Sequence, residues 1–143
     1  MKLETLFSLG YAVICPAWLL LIVAPRWKWT QRLINSCAIP LLISSAYFYL
    51  IAAYFPKTRG GFGSLADVAR VFQTPQILLA GWFHYLAFDL FIAGWEVRDA
   101  QKLGISHIWV IPCLIATCLL GPIGFLSYFI LRWSLTKRIF LED

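Results

Sequence analysis

Gly81-Trp82-Phe83-His84-Tyr85-Leu86-Ala87-Phe88-Asp89-Leu90-Phe91-Ile92-Ala93-Gly94-Trp95-Glu96-Val97-Arg98-Asp99 is the stretch on which the reading of this chain turns. It is long and apolar enough to be a membrane helix, yet it sets a histidine and an aspartate deep inside and adds charges at its end. At 100° per residue, Tyr85, Asp89, Ile92, Glu96 and Asp99 share one face. His84, Phe88, Phe91, Trp95, Arg98 and Lys102 share a neighbouring one. One face is acidic and the other is aromatic with cationic ends.

The rest of the sequence supplies the setting. Of 143 residues, 61% are hydrophobic and 13% are charged. A soluble domain carries roughly twice that charge, and about 20 consecutive apolar residues suffice to cross a bilayer. Four such stretches are predicted, over about residues 6–24, 33–55, 76–95 and 108–131. The fold class expected is an all-α integral membrane protein, a single domain over 1–143. The second and third spans are joined through a short amphipathic helix.

Local signals place the boundaries. Pro25 ends the first span, and Arg26, Trp27, Lys28 and Trp29 form a basic and aromatic anchor at the interface. Pro56 closes the second. Ser64 caps the amphipathic piece, whose Leu65, Val68, Ala69 and Phe72 fall on one face, as in a helix lying on a membrane surface. Thr74-Pro75 starts a helix that can run to Leu103, with Gly104 as its C-terminal stop. At roughly 40 Å this helix exceeds the hydrocarbon thickness. Ser106 caps the fourth helix, interrupted by Gly121-Pro122-Ile123-Gly124.

The short Gly104-Ile105-Ser106 link predicts an antiparallel hairpin whose neighbours have numbers summing to about 210. Asp89 then lies opposite Gly121 near the bilayer midplane, where Pro122 leaves the carbonyl of Cys118 free to accept. A carboxyl at that depth costs roughly 3 kcal/mol on insertion scales. Hydrocarbon favours the neutral acid, an O–H donor. Such a group is either glue between helices or an acid whose proton is used. Glu96, Arg98, Asp99 and Lys102 read as an interfacial charge rim.

The formal net charge of +5 sits at the ends of apolar segments, so membrane lipid is the partner it implies. No basic face repeats along a soluble helix, and nucleic acid is not expected. Cys15, Cys37, Cys113 and Cys118 lie in apolar segments without metal spacing and read as small hydrophobes. No metal site is expected, because His84 and Asp89 diverge by about 140° and Asp99 stands roughly 15 Å further along. No cofactor motif, phosphate loop or nucleophile elbow is present. With four spans, Lys and Arg divide seven to five in favour of the side holding both termini, which the positive-inside rule places in the cytoplasm. The start of the chain is unlike a transit peptide, and a bacterial inner membrane is the expected location.

Trp82-Phe83-His84-Tyr85-Leu86-Ala87-Phe88-Asp89-Leu90, then Asp99, then Gly121-Pro122-Ile123-Gly124-Phe125-Leu126-Ser127-Tyr128, resemble the family named for the abscisic-acid-deficient 4 protein. The resemblance covers mainly residues 76–133. In plants that family is assigned to the formation of neoxanthin from violaxanthin, a carotenoid isomerisation. The resemblance thus implies an isomerase acting on a carotenoid or other isoprenoid. Asp89 would be the acid, and His84 or Glu96 the base, with Asp99 in the same catalytic set. Trp82, Phe83, Tyr85, Phe88, Phe91, Trp95, Gly121, Pro122 and Gly124 would contact the polyene. The alternative readings are a non-enzymatic pigment- or lipid-binding protein, or an interaction protein in a membrane complex. A proton path through Asp89 ranks third, since four helices leave little room for one unless copies associate into an oligomer.

Overall fold

The structure is a computed structural model, and it describes residues 2–138. Every regular element among the described residues is helical: α1 Leu3–Val23, α2 Lys28–Thr30, a π-helical turn Gln31–Asn35, α3 Ala38–Tyr54, a 3₁₀ turn Phe55–Lys57, α4 Leu65–Phe72, α5 Pro75–Lys102, α6 His107–Leu120 and α7 Pro122–Thr136. Three segments are long and apolar enough to cross a membrane: Leu3–Val23, Lys28–Lys57 and Pro75–Lys102. This is an all-α membrane protein, and the short helix expected between the second and third spans is α4.

The central element is α5. Half of its apolar window is buried, against 28% for α1 and 17% for Lys28–Lys57, because α1, α3, α6 and α7 all pack on it. Its boundaries fall where the local signals put them. Thr74 is the N-cap and Pro75 the first helical residue. At the other end Gly104 has φ +67, with Ile105 N–H donating to Ala100 O and Gly104 N–H to Gln101 O, the paired bonds of a Schellman stop.

Contacts fix the direction of every neighbour. Gly10 meets Phe83, Tyr11 stacks on Trp82, and Ile22 O accepts from His107 near the far end of α5. So α1 runs parallel to α5. Asn35 meets Arg98 and Tyr47 meets His84, so α3 is antiparallel. Thr117 meets Glu96 and Cys118 meets Tyr85, so α6 descends along α5 from its C-terminal end. Past Gly121 the order reverses: Phe125 and Phe129 pack on Trp95, and Arg132 reaches Asp99.

The fourth apolar stretch therefore departs from the expected interrupted span over about 108–131. It folds back on itself as a re-entrant hairpin of α6 and α7. At 14 and 15 residues each arm is only about 21–22 Å long, short of a hydrocarbon core of about 30 Å. The reversal rests on Gly121, whose φ +52 and ψ −103 no side chain tolerates well, and on Pro122, which starts the second arm. Gly124 completes the hairpin, since a Cβ there would collide with the backbone nitrogen of Thr117.

Because α7 returns to the end from which α6 set out, Lys2 and Thr136 lie at opposite ends of the bundle. The expectation of both termini on one side finds no support in this arrangement of the described residues. The cations redistribute with it. Arg26, Lys28 and Arg32, Arg98 and Lys102, and Arg132, Lys137 and Arg138 gather at the α5–α6 end. Lys2, Lys57, Arg59 and Arg70 occupy the other.

The surface helix α4 is capped as expected, Ser64 Oγ accepting from Asp67 N–H at 3.1 Å. Val71 is its buried residue, the ring of Phe72 rests against Gly81 of α5 while staying partly exposed, and Leu65 is exposed and available to lipid.

Candidate functional site

The hairpin brings its tip against the middle of α5. A Cβ on Gly121 would stand 3.2 Å from Asp89 Oδ1, 3.5 Å from Asp89 Oδ2 and 3.3 Å from the ring of Tyr85, so the glycine lets the two elements touch. The expected register, Asp89 opposite Gly121, is what forms. The Cys118 carbonyl accepts a long hydrogen bond of 3.5 Å from the Tyr85 hydroxyl. Asp89 Oδ2 is buried and has no hydrogen-bond partner among the described residues. A buried polar atom without a partner is uncommon in folded proteins and calls for a reason.

Beside Asp89 lies a groove of about 350 Å³. Tyr85, Phe88, Asp89, Ile92 and Thr117 line it together with Gly121, Pro122 and Phe125 of the hairpin. Phe88 and Phe125 are exposed on the lipid-facing side of the bundle. His84 also lines the groove. Its ring is exposed, stacked on Phe88 at 4.7 Å and tilted against Tyr47 at 5.7 Å. Asp89 and His84 thus border one space although they point in different directions from α5.

The other two acids do not join them. Glu96 is fully buried, 0% exposed, and lies outside the groove lining. Thr117 Oγ1 stands 3.0 Å from its Oε1 and 3.0 Å from the Cys113 carbonyl. Asp99 is buried near the end of α5, where Oδ2 accepts from the Tyr128 hydroxyl at 2.6 Å and from Arg132 Nε at 2.8 Å. The interfacial charge rim expected over residues 96–102 is corrected accordingly. Glu96 and Asp99 are interior groups because α6 and α7 cover that side of α5. Arg98 is half-buried and donates to Asn35, and Lys102 alone of the four is exposed.

The predicted ligand contacts also divide. Tyr85, Phe88, Gly121 and Pro122 line the groove. Phe91 faces a second groove, against Pro40, Leu41 and Ser44 of α3. Trp82 lines a third, between α1 and α5, beside Phe7 and Tyr11. Phe83 is core, 1% exposed and seated on Gly10. Trp95 belongs to a cluster with Phe125, Tyr128 and Phe129, and Gly124 serves the hairpin packing.

Sequence reasoning missed Thr117, Tyr128 and Arg132 as interior polar groups. The signal for Arg132 was its place in Ile130-Leu131-Arg132-Trp133, an apolar run rather than a charged tail. Its side chain also donates to Arg138 O at 2.7 Å. Among the described residues no three His, Cys, Asp or Glu side chains gather closely enough to hold a metal ion.

The description ABA DEFICIENT 4-like matches residues 5–128 of the chain. The chain is also similar to Protein ABA DEFICIENT 4, chloroplastic, of Arabidopsis thaliana, at 26% identity over 137 residues. That alignment takes in 90% of this chain and 61% of the plant protein, so the chain spans about three fifths of its relative's length. No solved structure matches. A match over most of the chain, on a helical bundle that sets the motif residues Asp89 and Gly121 against each other, places this protein in the ABA DEFICIENT 4-like family.

Proposed function

We propose that the protein is a membrane-embedded isomerase of a carotenoid or another isoprenoid lipid, and that Asp89 is its acid. The observation that carries the reading is that Asp89, one of whose oxygens is buried without a hydrogen-bond partner among the described residues, lines a groove walled by Phe88, Ile92 and Phe125. Intramembrane acids are rare and usually functional. A long apolar substrate dissolved in the bilayer needs no aqueous entry, because the groove opens through the lipid-facing side of the bundle.

The chemistry implied by the family resemblance requires one proton given and one taken. Asp89 donates to the substrate oxygen as its carbon–oxygen bond breaks. A base removes the proton from the chain carbon attached to the ring, next to the carbon whose bond to oxygen breaks, and the electron pair of that C–H bond becomes the new double bond of the allene. No oxidant or reductant is consumed, and the proton taken restores the one given. His84 is the base, since it borders the groove and Glu96 does not. Tyr85 holds the tip of the hairpin through Cys118 and keeps the groove wall in register.

The test is expression in a host that accumulates an epoxycarotenoid. Wild type should convert the pigment, and Asp89→Asn and His84→Ala should not, at equal amounts of folded protein. Full conversion by both variants would reject the reading. Retention of pigment by wild type without conversion would replace it with a pigment-binding role.

A further inference from the structure

We propose that the α5–α6 end of the bundle is an anionic-lipid-binding face, and that it sets a topology with the N-terminal end of α1 and the C-terminal end of α7 on opposite sides of the membrane. The cation-rich face is the cytoplasmic one, or its equivalent in an organelle. This inference does not depend on the reaction assigned to Asp89.

Three observations carry it. The first is the re-entrant hairpin. Since α6 and α7 enter and leave at one end, the described chain crosses the membrane three times, and Leu3 of α1 and Thr136 of α7 separate. The second is the resulting charge balance. Eight of the twelve Lys and Arg side chains now belong to one end, twice the number at the other. At the sparse end Lys2, Lys57 and Arg59 are exposed as well, Lys57 lies 5.3 Å from the Tyr54 ring and Arg70 is paired with Asp67 at 2.5 Å, so the asymmetry is one of number. At the rich end the buried Arg132 is paired with Asp99, whereas Arg26, Lys28, Arg32 and Lys102 are exposed. Lys and Arg near helix ends orient membrane proteins, and each is attracted to an anionic leaflet.

The third is the aromatic collar. Trp27, Trp29, Trp109 and Trp133 are all exposed at this same end. Arg32 lies 5.7 Å from the Trp29 ring and Lys137 lies 5.0 Å from the Trp133 ring. Amphipathic indoles settle at the headgroup level, and these contacts hold the cations at that level too. Phosphodiester headgroups of anionic lipids supply the matching charge.

The orientation is tested with the full chain carrying a protease-cleavable epitope tag at each end, in spheroplasts and in inverted membrane vesicles of a bacterial host. The expected result is cleavage of the N-terminal tag only in spheroplasts and of the C-terminal tag only in inverted vesicles. Cleavage of both tags from one side would overturn the three-crossing topology. The opposite separation would overturn the assignment of the basic face. The lipid contact is tested by quenching of tryptophan fluorescence in reconstituted wild-type protein, using brominated phosphatidylglycerol or brominated phosphatidylcholine at equal content. Quenching severalfold stronger with the anionic lipid, and reduced to parity in the triple variant Arg26→Gln, Lys28→Gln, Arg32→Gln, is expected. Equal quenching of the wild type by both lipids would overturn the binding face.

Discussion

Asp89 and Asp99 are carboxylic acids on one helix, ten residues apart, and they live in opposite circumstances. Asp99 is closed in by Tyr128 and Arg132, both contributed by the returning arm of the hairpin. Asp89 meets the tip of the same hairpin, yet its Oδ2 has no partner among the described residues, and the residue lines a lipid-facing groove. The difference comes from what the hairpin presents at each level: a cation and a phenol at one, a bare glycine backbone at the other. Asp99 fastens α7 to α5, whereas Asp89 has beside it only Tyr85, one turn earlier on its own helix, and keeps one oxygen without a partner among the described residues. A buried acid is informative about function only once its partners have been counted.

Breaking the fastening should have the largest effect on stability. Arg132→Ala leaves Asp99 buried without its cation and is expected to cost about 3–5 kcal/mol. Thermal unfolding in detergent should register it, and loss of no more than a surface substitution would contradict the placement of Arg132. Pairing Arg132→Met with Asp99→Leu should recover much of that loss, because two apolar groups leave no charge stranded. Next comes Tyr128→Phe, which removes a hydrogen bond to a charged group and should cost about 1.5–3 kcal/mol. Gly124→Ala should cost about 1–3 kcal/mol as an overpacking change, since the new methyl meets the Thr117 backbone and not a movable side chain. An unchanged melting temperature for Gly124→Ala would mean that the arms of the hairpin are further apart than described. The smallest stability effect belongs to Asp89→Asn, within about 1 kcal/mol, because no hydrogen bond to Oδ2 is lost. The comparison is sharpest if that variant is nevertheless the inactive one.

Much of this arrangement was legible in the residues. Thr74-Pro75 and Gly104 bounded α5 correctly, because caps and stops are local chemistry. The register of Asp89 on Gly121 followed from the shortness of the Gly104-Ile105-Ser106 link. The lipid-facing groove was less legible, since a helical wheel shows which residues share a face and not which faces other helices cover. With α5 surrounded on most sides, Glu96 and Asp99 went inside and Phe83 became core.

The reversal at Gly121 was hidden for a different reason. Gly-Pro reads alike as a kink and as a turn, and the two are separated only by the sign of φ at the glycine and by the packing of Gly124 on Thr117. That single ambiguity also inverted the charge balance between the two ends. The role of Arg132 was lost with it, because on a straight fourth helix it lies far from Asp99.

The most direct test of the account measures pigment conversion by wild type and Asp89→Asn in a host that accumulates an epoxycarotenoid, with the melting temperature of each purified protein recorded beside it. The account predicts conversion by wild type, none by Asp89→Asn, and closely similar melting temperatures. Undiminished conversion by a well-folded Asp89→Asn protein would contradict it.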